Sequence, residues 1–209
     1  SDRVVRGRES NILRLQENVC IGARQGVIQF IGSEGEFHSR CRREADCLEI
    51  DGEGFGAMPG LVDPQTHLPF AGPRQDEFAL KLQGVSYQEI ASRGGGIKGT
   101  VRKTREISMP DLVKICQQRL DQMLLSGTTT LEAKSGYGLD LETELKQLQA
   151  LQQLAGRHPV SIVPTFMGAH EIPDDFRGKN REYLDFLLAD ILPLVKEKKL
   201  ADFVDIFCE

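Results

Sequence analysis

The patterning of this chain predicts an α/β protein built on a parallel sheet, with a small β segment ahead of it. Three observations carry the prediction. Downstream of residue 108, segments of helical apolar spacing alternate with short β-branched runs, the order expected of βα units. Residues 58–70, Met-Pro-Gly-Leu-Val-Asp-Pro-Gln-Thr-His-Leu-Pro-Phe, read as an apolar strand ending in a polar, histidine-bearing tip. Strands that present chemistry at the C-terminal end of a parallel barrel have this form. Residues 1–57, by contrast, read as short β segments between polar turns, too small a set to hold a β-sandwich unaided.

The elements follow in order. Residues 26–32 (Gly-Val-Ile-Gln-Phe-Ile-Gly) alternate apolar and polar side chains between glycines, as a half-buried strand does. Cys47–Asp51 is predicted as a second strand, and Gly52, Gly54 and Gly56 end it. The motif strand comes next, Met58 to Val62, ending in Asp63. Ser86–Ser92 fits a short helix with Ser86 as cap and Glu89 three residues on, leading into a flexible loop at Gly94-Gly95-Gly96-Ile97. Pro110–Ser126 is a helix with proline in its first turn, an apolar stripe through Leu112, Cys116, Leu120 and Leu124, and Gly127 behind it. A strand at Thr128–Ala133, a helix at Leu141–Leu154 and a strand at Val160–Phe166 follow, with Pro164 arguing for irregular geometry. A helix at Arg181–Val195, kinked or restarted at Pro193, and a strand at Phe203–Phe207 complete the series. Four such strands are half of an eight-stranded barrel, so the chain divides into residues 1–57 and 58–209.

Composition narrows the function. A net charge of −5 speaks against a general nucleic-acid binder, and an absence of Trp with 6% aromatic residues offers no stacking platform for bases. No apolar run has membrane-spanning length, and the N-terminus shows no secretory signal, so a cytoplasmic protein is expected. Five cysteines, an odd number without metal-site spacing, read as free thiols. The glycine run at 94–96 lacks the Lys-Ser/Thr of a phosphate-binding loop and reads as a mobile loop over the site.

On an extended strand residues i and i+2 share a face, so Gln65 and His67 are expected to project together from the strand end. The run resembles the first-strand signature of the amidohydrolase superfamily, where two histidines in a His-x-His pair bind a divalent metal. Here Gln65 stands in the first position. The likeness sharpens with Pro64–Arg74, Lys81–Tyr87, Gly94–Ile97, Ala133–Leu139, Glu142–Lys146, Thr165–His170 and Asp205–Glu209. Together, in this order, these segments resemble the imidazolonepropionase family across roughly residues 57–209, and the Lys-Ser-Gly-Tyr-Gly run is the most particular of them.

The resemblance implies a partial (β/α)8 amidohydrolase barrel, about its first four βα units, carrying part of a composite β-sandwich at its N-terminus. It implies hydrolysis of 4-imidazolone-5-propanoate to N-formimidoyl-L-glutamate, with one Zn or Fe ion activating water. His67 matches a metal ligand, and Gln65 occupies the other ligand position with a neutral amide oxygen, a poor substitute for imidazole. A later His, a Glu base and a late Asp are expected beyond Glu209. Arg74 matches the arginine that holds the substrate carboxylate. Tyr87 and Tyr137 match tyrosines near the substrate, and His170 matches the histidine near the ring carbonyl. A homodimer is also implied.

Plainer readings stand beside these. His67 fits a hydrogen-bonded strand-end histidine, Arg74 a solvated surface cation, and either tyrosine a core ring with a wet tip. Asp63 is read as ordering the turn through its side chain. Lys134 is read as structural or an ion-pair partner, and Glu209 as a strand-end acid without an assigned role. The rival function is a truncated, catalytically inactive amidohydrolase-like protein acting as a binding or assembly partner.

Overall fold

The computed structural model describes residue 7, residues 15–92 and residues 94–208, with backbone alone at residues 87 and 91. It falls into two units, Ser1–Ala57 and Met58–Glu209.

In the first unit, β1 (Cys20–Arg24) and β2 (Val27–Gly32) form an antiparallel hairpin paired from Cys20↔Gly32 to Arg24↔Val27. The connection is the dipeptide Gln25-Gly26, both with positive φ (50° and 76°), the backbone of a tight hairpin turn that suits the strand twist. A helix not anticipated from sequence, α1 (Glu34–Arg40), follows. Its signal was present in the spacing of Ser33 and Glu36. The Glu36 N–H donates to Ser33 Oγ at 3.3 Å and the Ser33 N–H donates to Glu36 Oε2 at 3.0 Å, a reciprocal capping box. The backbone hydrogen bond from Ser33 holds the Glu36 carboxyl below the usual carboxylate range. The strand predicted at Cys47–Asp51 does not form: its alternation is real, but Leu48 and Ile50 are 82% and 80% exposed. Among the described residues no neighbouring strand takes up its hydrogen bonds, and a lone strand is not stable in water.

The second unit holds a four-stranded parallel sheet whose spatial order, β3 (Leu61–Thr66), β4 (Thr128–Lys134), β5 (Ser161–Ala169) and β6 (Phe203–Ile206), is also the sequence order. An order without reversal is compatible with part of a barrel and differs from a doubly wound sheet, where the order reverses. Between β3 and β4 lie α2 (Gln75–Leu82), α3 (Tyr87–Ser92), α4 (Gly96–Glu106) and α5 (Met109–Leu125). Helix α6 (Leu141–Leu154) joins β4 to β5, and α7 (Asn180–Phe186) and α8 (Leu192–Glu197) lie between β5 and β6.

The helices form where their caps and stripes dictate. Ser108 Oγ accepts the Asp111 N–H at 3.3 Å, Pro110 sits in the first turn of α5, and Leu112, Cys116 and Leu120 are fully buried at four-residue spacing. Asp140 caps α6 by accepting the Thr143 N–H at 2.7 Å. Leu148 and Leu151 of α6 join Leu131 and Ala133 of β4 and Phe166 of β5 in one core. The opposite face of the sheet is polar. There Lys134 Nζ bonds Glu132 at 2.8 Å and Asp205 at 2.7 Å, and Thr165 donates to Glu132 at 2.7 Å. Lys134 therefore is an ion-pair partner, as expected.

Four readings shift. The motif strand runs Leu61–Thr66, later than Met58–Val62, because its pairing begins at Leu61↔Thr128. Gly96 and Ile97 are not loop but the first turn of α4, whose Gly96 N–H is taken by Glu77 Oε1 at 2.8 Å. Helix α2 was not foreseen; its apolar residues Phe78 and Leu82 are exposed, so it lacks a clear stripe. Strand β5 continues through Pro164 to Ala169. It does so because the ladder to β6 starts only at Thr165↔Phe203: Pro164 contributes its carbonyl, which accepts the Asp202 N–H at 2.8 Å, and its missing N–H is not called on. The helix restarts at Pro193: a π-type turn over Leu187–Ile191 separates α7 from α8, whose first turn holds the proline. Among the described residues no helix is long and apolar enough to cross a membrane.

Candidate active site

At the C-terminal ends of β3, β4 and β5 three rings converge. His67 follows β3, Tyr137 lies in the loop after β4, and His170 follows β5. The His67 and His170 rings stack at 4.5 Å between centroids, and Tyr137 meets them edge-on at 5.0 and 5.1 Å. Phe70 and Phe207 complete an aromatic rim at 5.6 Å from Tyr137 and 6.4 Å from His170.

Each ring is held by backbone that other elements fix. Arg119 of α5 donates to the carbonyls of Leu68 and Phe70, both at 2.7 Å, and lies over the Phe70 ring at 3.8 Å. The Cys116 thiol donates to the same Leu68 carbonyl at 3.6 Å; burial pushes that thiol up to about 12, which removes it as a nucleophile. Thr104 of α4 accepts the Ala71 N–H at 3.0 Å. The Ser135–Leu139 loop needs its glycines: Gly136 has φ +104°, and a Cβ there would meet the Met167 carbonyl at 2.7 Å and His170 Cβ at 2.9 Å. Arg105 closes the loop by bonding the Gly138 carbonyl at 2.8 Å and Asp140 at 2.7 Å.

The chemistry of the two histidines differs. His170 Nδ1 lies 2.8 Å from the Gly136 carbonyl, an acceptor only, so this nitrogen donates. His67 Nδ1 is buried with no hydrogen-bond partner among the described residues. Burial above all, with the Lys134 charge nearby, pushes the His67 imidazole down to about 4. His67 is therefore neutral near pH 7, and its orphaned nitrogen is a lone acceptor or ligand atom. Gln65 is exposed, and its backbone N–H bonds Asp63 Oδ1 at 3.3 Å; both residues lie inside β3, at its irregularity between Asp63 and Thr66, so Asp63 orders strand backbone there and not the turn expected of it.

These donors do not complete a metal centre. Among the described residues no three His, Cys, Asp or Glu side chains come together. One imidazole and one amide oxygen fall short of the three protein ligands a catalytic zinc site uses. Glu209 lies outside the described residues, and so does the Tyr87 side chain. Arg74 is exposed at the start of α2 and lines a cavity of about 200 Å³ with Glu77, Gly95, Arg102 and Lys103, and the three rings are not among its lining residues. A second cavity of about 480 Å³ is lined by Val101, Arg105, Leu139 and Glu171.

Sequence reasoning missed Arg119, Glu144 and Gln147. The last two carried a signal: both fall on the apolar stripe of α6, at positions where a polar residue is buried only with partners.

Parallel βα units with polar and aromatic side chains gathered at the strand ends define a protein of the enzyme-bearing α/β class. Over its whole length the chain is similar to proteins named imidazolonepropionase. It is 50% identical to that of Bacillus cytotoxicus, 51% to that of Bacillus cereus and 50% to that of Bacillus thuringiensis, each over 208 residues. No family profile matches the chain. The chain spans about half the length of the curated relatives it matches, 48% in each case, which is consistent with the N-terminal half of such an enzyme.

Proposed function

We propose that this chain forms the N-terminal half of a (β/α)8 amidohydrolase barrel. In this reading the whole protein hydrolyses 4-imidazolone-5-propanoate to N-formimidoyl-L-glutamate in histidine breakdown, as a cytoplasmic homodimer. Water adds to the ring carbonyl carbon, the ring C–N bond breaks, and the leaving nitrogen takes the proton. The observation that carries the reading is the stacked pair His67 and His170 with Tyr137 edge-on to both. Its three rings come from three different strand ends, the arrangement that suits a small planar ring as substrate.

Within this reading His170 contacts the ring carbonyl region, Tyr137 and Tyr87 contact the substrate, and the Arg74 guanidinium binds the propanoate carboxylate. The single Zn or Fe ion belongs to the proposal for the whole protein only. His67 offers it one nitrogen and Gln65 one amide oxygen, and the remaining donors would come from outside the described residues.

The test is turnover of 4-imidazolone-5-propanoate by the full-length protein, followed as loss of the imidazolone absorbance. His170→Asn is expected to lower kcat by about 100-fold or more, and Arg74→Ala to raise KM. A full-length wild-type protein without turnover would overturn the proposal and favour a binding or assembly role.

A further inference from the structure

Two fully buried polar side chains on α6 are not used by the proposed chemistry. Glu144 spreads its carboxylate over three backbone N–H groups: Gly136 at 3.1 Å on Oε2, and Gly138 and Leu139 at 2.9 Å each on Oε1. Burial pushes its carboxyl up, and the Ser135 hydroxyl and these N–H groups act against that push. Gln147, nearly one turn further on, has Oε1 at 3.3 Å from the Tyr137 N–H, and its amide nitrogen donates to the Pro69 carbonyl. Each end of the Gln147 amide thus has one compatible partner, which fixes its orientation.

The Tyr137 N–H and the Gly136 carbonyl are the two ends of a single peptide group. One end is held by Gln147 and the other faces His170 Nδ1 at 2.8 Å. Glu144 pins the peptides on both sides of it. We propose that Gln147 is a positioning residue: it sets the Gly136–Tyr137 peptide so that its carbonyl takes the Nδ1–H of His170 and leaves any lone pair of the ring to Nε2. The same amide, through Pro69, ties the segment after His67 to this peptide, so one side chain couples the surroundings of both histidines. The functional weight of this inference rests on the reading of His170 as a substrate-facing residue. The tautomer is observable without substrate, so its failure is distinguishable from failure of that reading.

The experiment is long-range 1H–15N NMR of uniformly labelled full-length protein at pH 8.5, with the His170 signals assigned by their loss in His170→Asn. The wild type is expected to show His170 protonated at Nδ1. Gln147→Leu, which removes the acceptor, is expected to shift His170 towards a mixture containing Nε2–H. Gln147→Glu keeps the acceptor for Tyr137 but sets an oxygen against the Pro69 carbonyl, and it is expected to retain Nδ1–H. A wild-type His170 protonated at Nε2 overturns the proposal, as does a folded Gln147→Leu protein with unchanged His170 nitrogen shifts. Where Gln147→Leu does not fold, loss of Nδ1–H in a folded Gln147→Glu protein overturns it as well.

Discussion

The inner and outer strands of the parallel sheet are close in composition and opposite in environment. Leu131 in β4 is fully buried and Phe166 in β5 is 3% exposed, whereas Val62 in β3 and Val204 in β6 are 64% and 61% exposed. β4 and β5 have a strand on either side and α5, α6 and the α7–α8 segment packed on one face. Val204 pairs in register with Phe166, so it points to the same face of the sheet, yet no described helix lies over it. Apolar content alone does not make a core position; coverage by neighbouring elements does.

The largest effect expected from this difference is at the centre. Leu131→Ala should destabilise the second unit by about 3–4 kcal/mol through lost burial and a residual cavity, read as a drop in the urea midpoint. A cost below about 1 kcal/mol would mean that the inner strands are no better packed than the outer ones.

Lys134→Met probes the polar face and should cost about 2 kcal/mol, less than for a fully buried pair because Asp205 is 44% exposed. The pH dependence follows from the shifts. Its hydrogen bond to Lys134 holds Asp205 below the ordinary carboxylate value of 3.8, so this stabilisation is present above that value and lost as pH falls through the lowered one. Burial works against the Lys134 charge, but the bonds to Asp205 and Glu132 raise it above 10.5. Its stabilisation is therefore complete below that value and lost as pH rises beyond it. Lys134→Met should flatten both limbs in urea titrations between pH 2 and 12, and a profile unchanged from wild type would remove the ion pairs from the account.

Arg119→Met should cost about 1.5 kcal/mol by freeing the Leu68 and Phe70 carbonyls. Faster amide exchange through residues 68–71 should accompany it, and unchanged exchange there would show that Arg119 does not hold the segment. In the first unit, Ser33→Ala should cost about 1 kcal/mol by removing the cap of α1, seen as lost helicity in residues 34–40 with the second unit unaffected. The smallest effect is expected at the outer strand: in the 209-residue chain by itself, Val204→Ala should fall within about 0.5 kcal/mol. A loss as large as that of Leu131→Ala would show β6 to be covered in solution.

The sequence by itself determined the elements whose signals are local. Helix α6 falls on Leu141–Leu154 as its stripe requires, and α5 and β4 lie within a residue or so of their patterns. The helix restart at Pro193 also follows from chemistry contained in a few neighbouring residues. His67 and His170 were legible as strand-end residues because a parallel βα pattern sends every such position to one end of the sheet, whereas Tyr137 was marked by the family resemblance.

The tertiary structure decided what depends on partners far along the chain. It left Cys47–Asp51 without a strand to pair with, and it let β5 run through Pro164 because β6 joins only beyond it. It placed Arg74 on the lining of a cavity with Glu77, Arg102 and Lys103. It also enlisted Arg119, Glu144 and Gln147, whose roles lie in backbone groups up to 78 residues away. Periodicity reports which face of an element is apolar; which buried polar atoms meet is set by three-dimensional closure, because each pays for its desolvation only with a partner the chain brings from elsewhere.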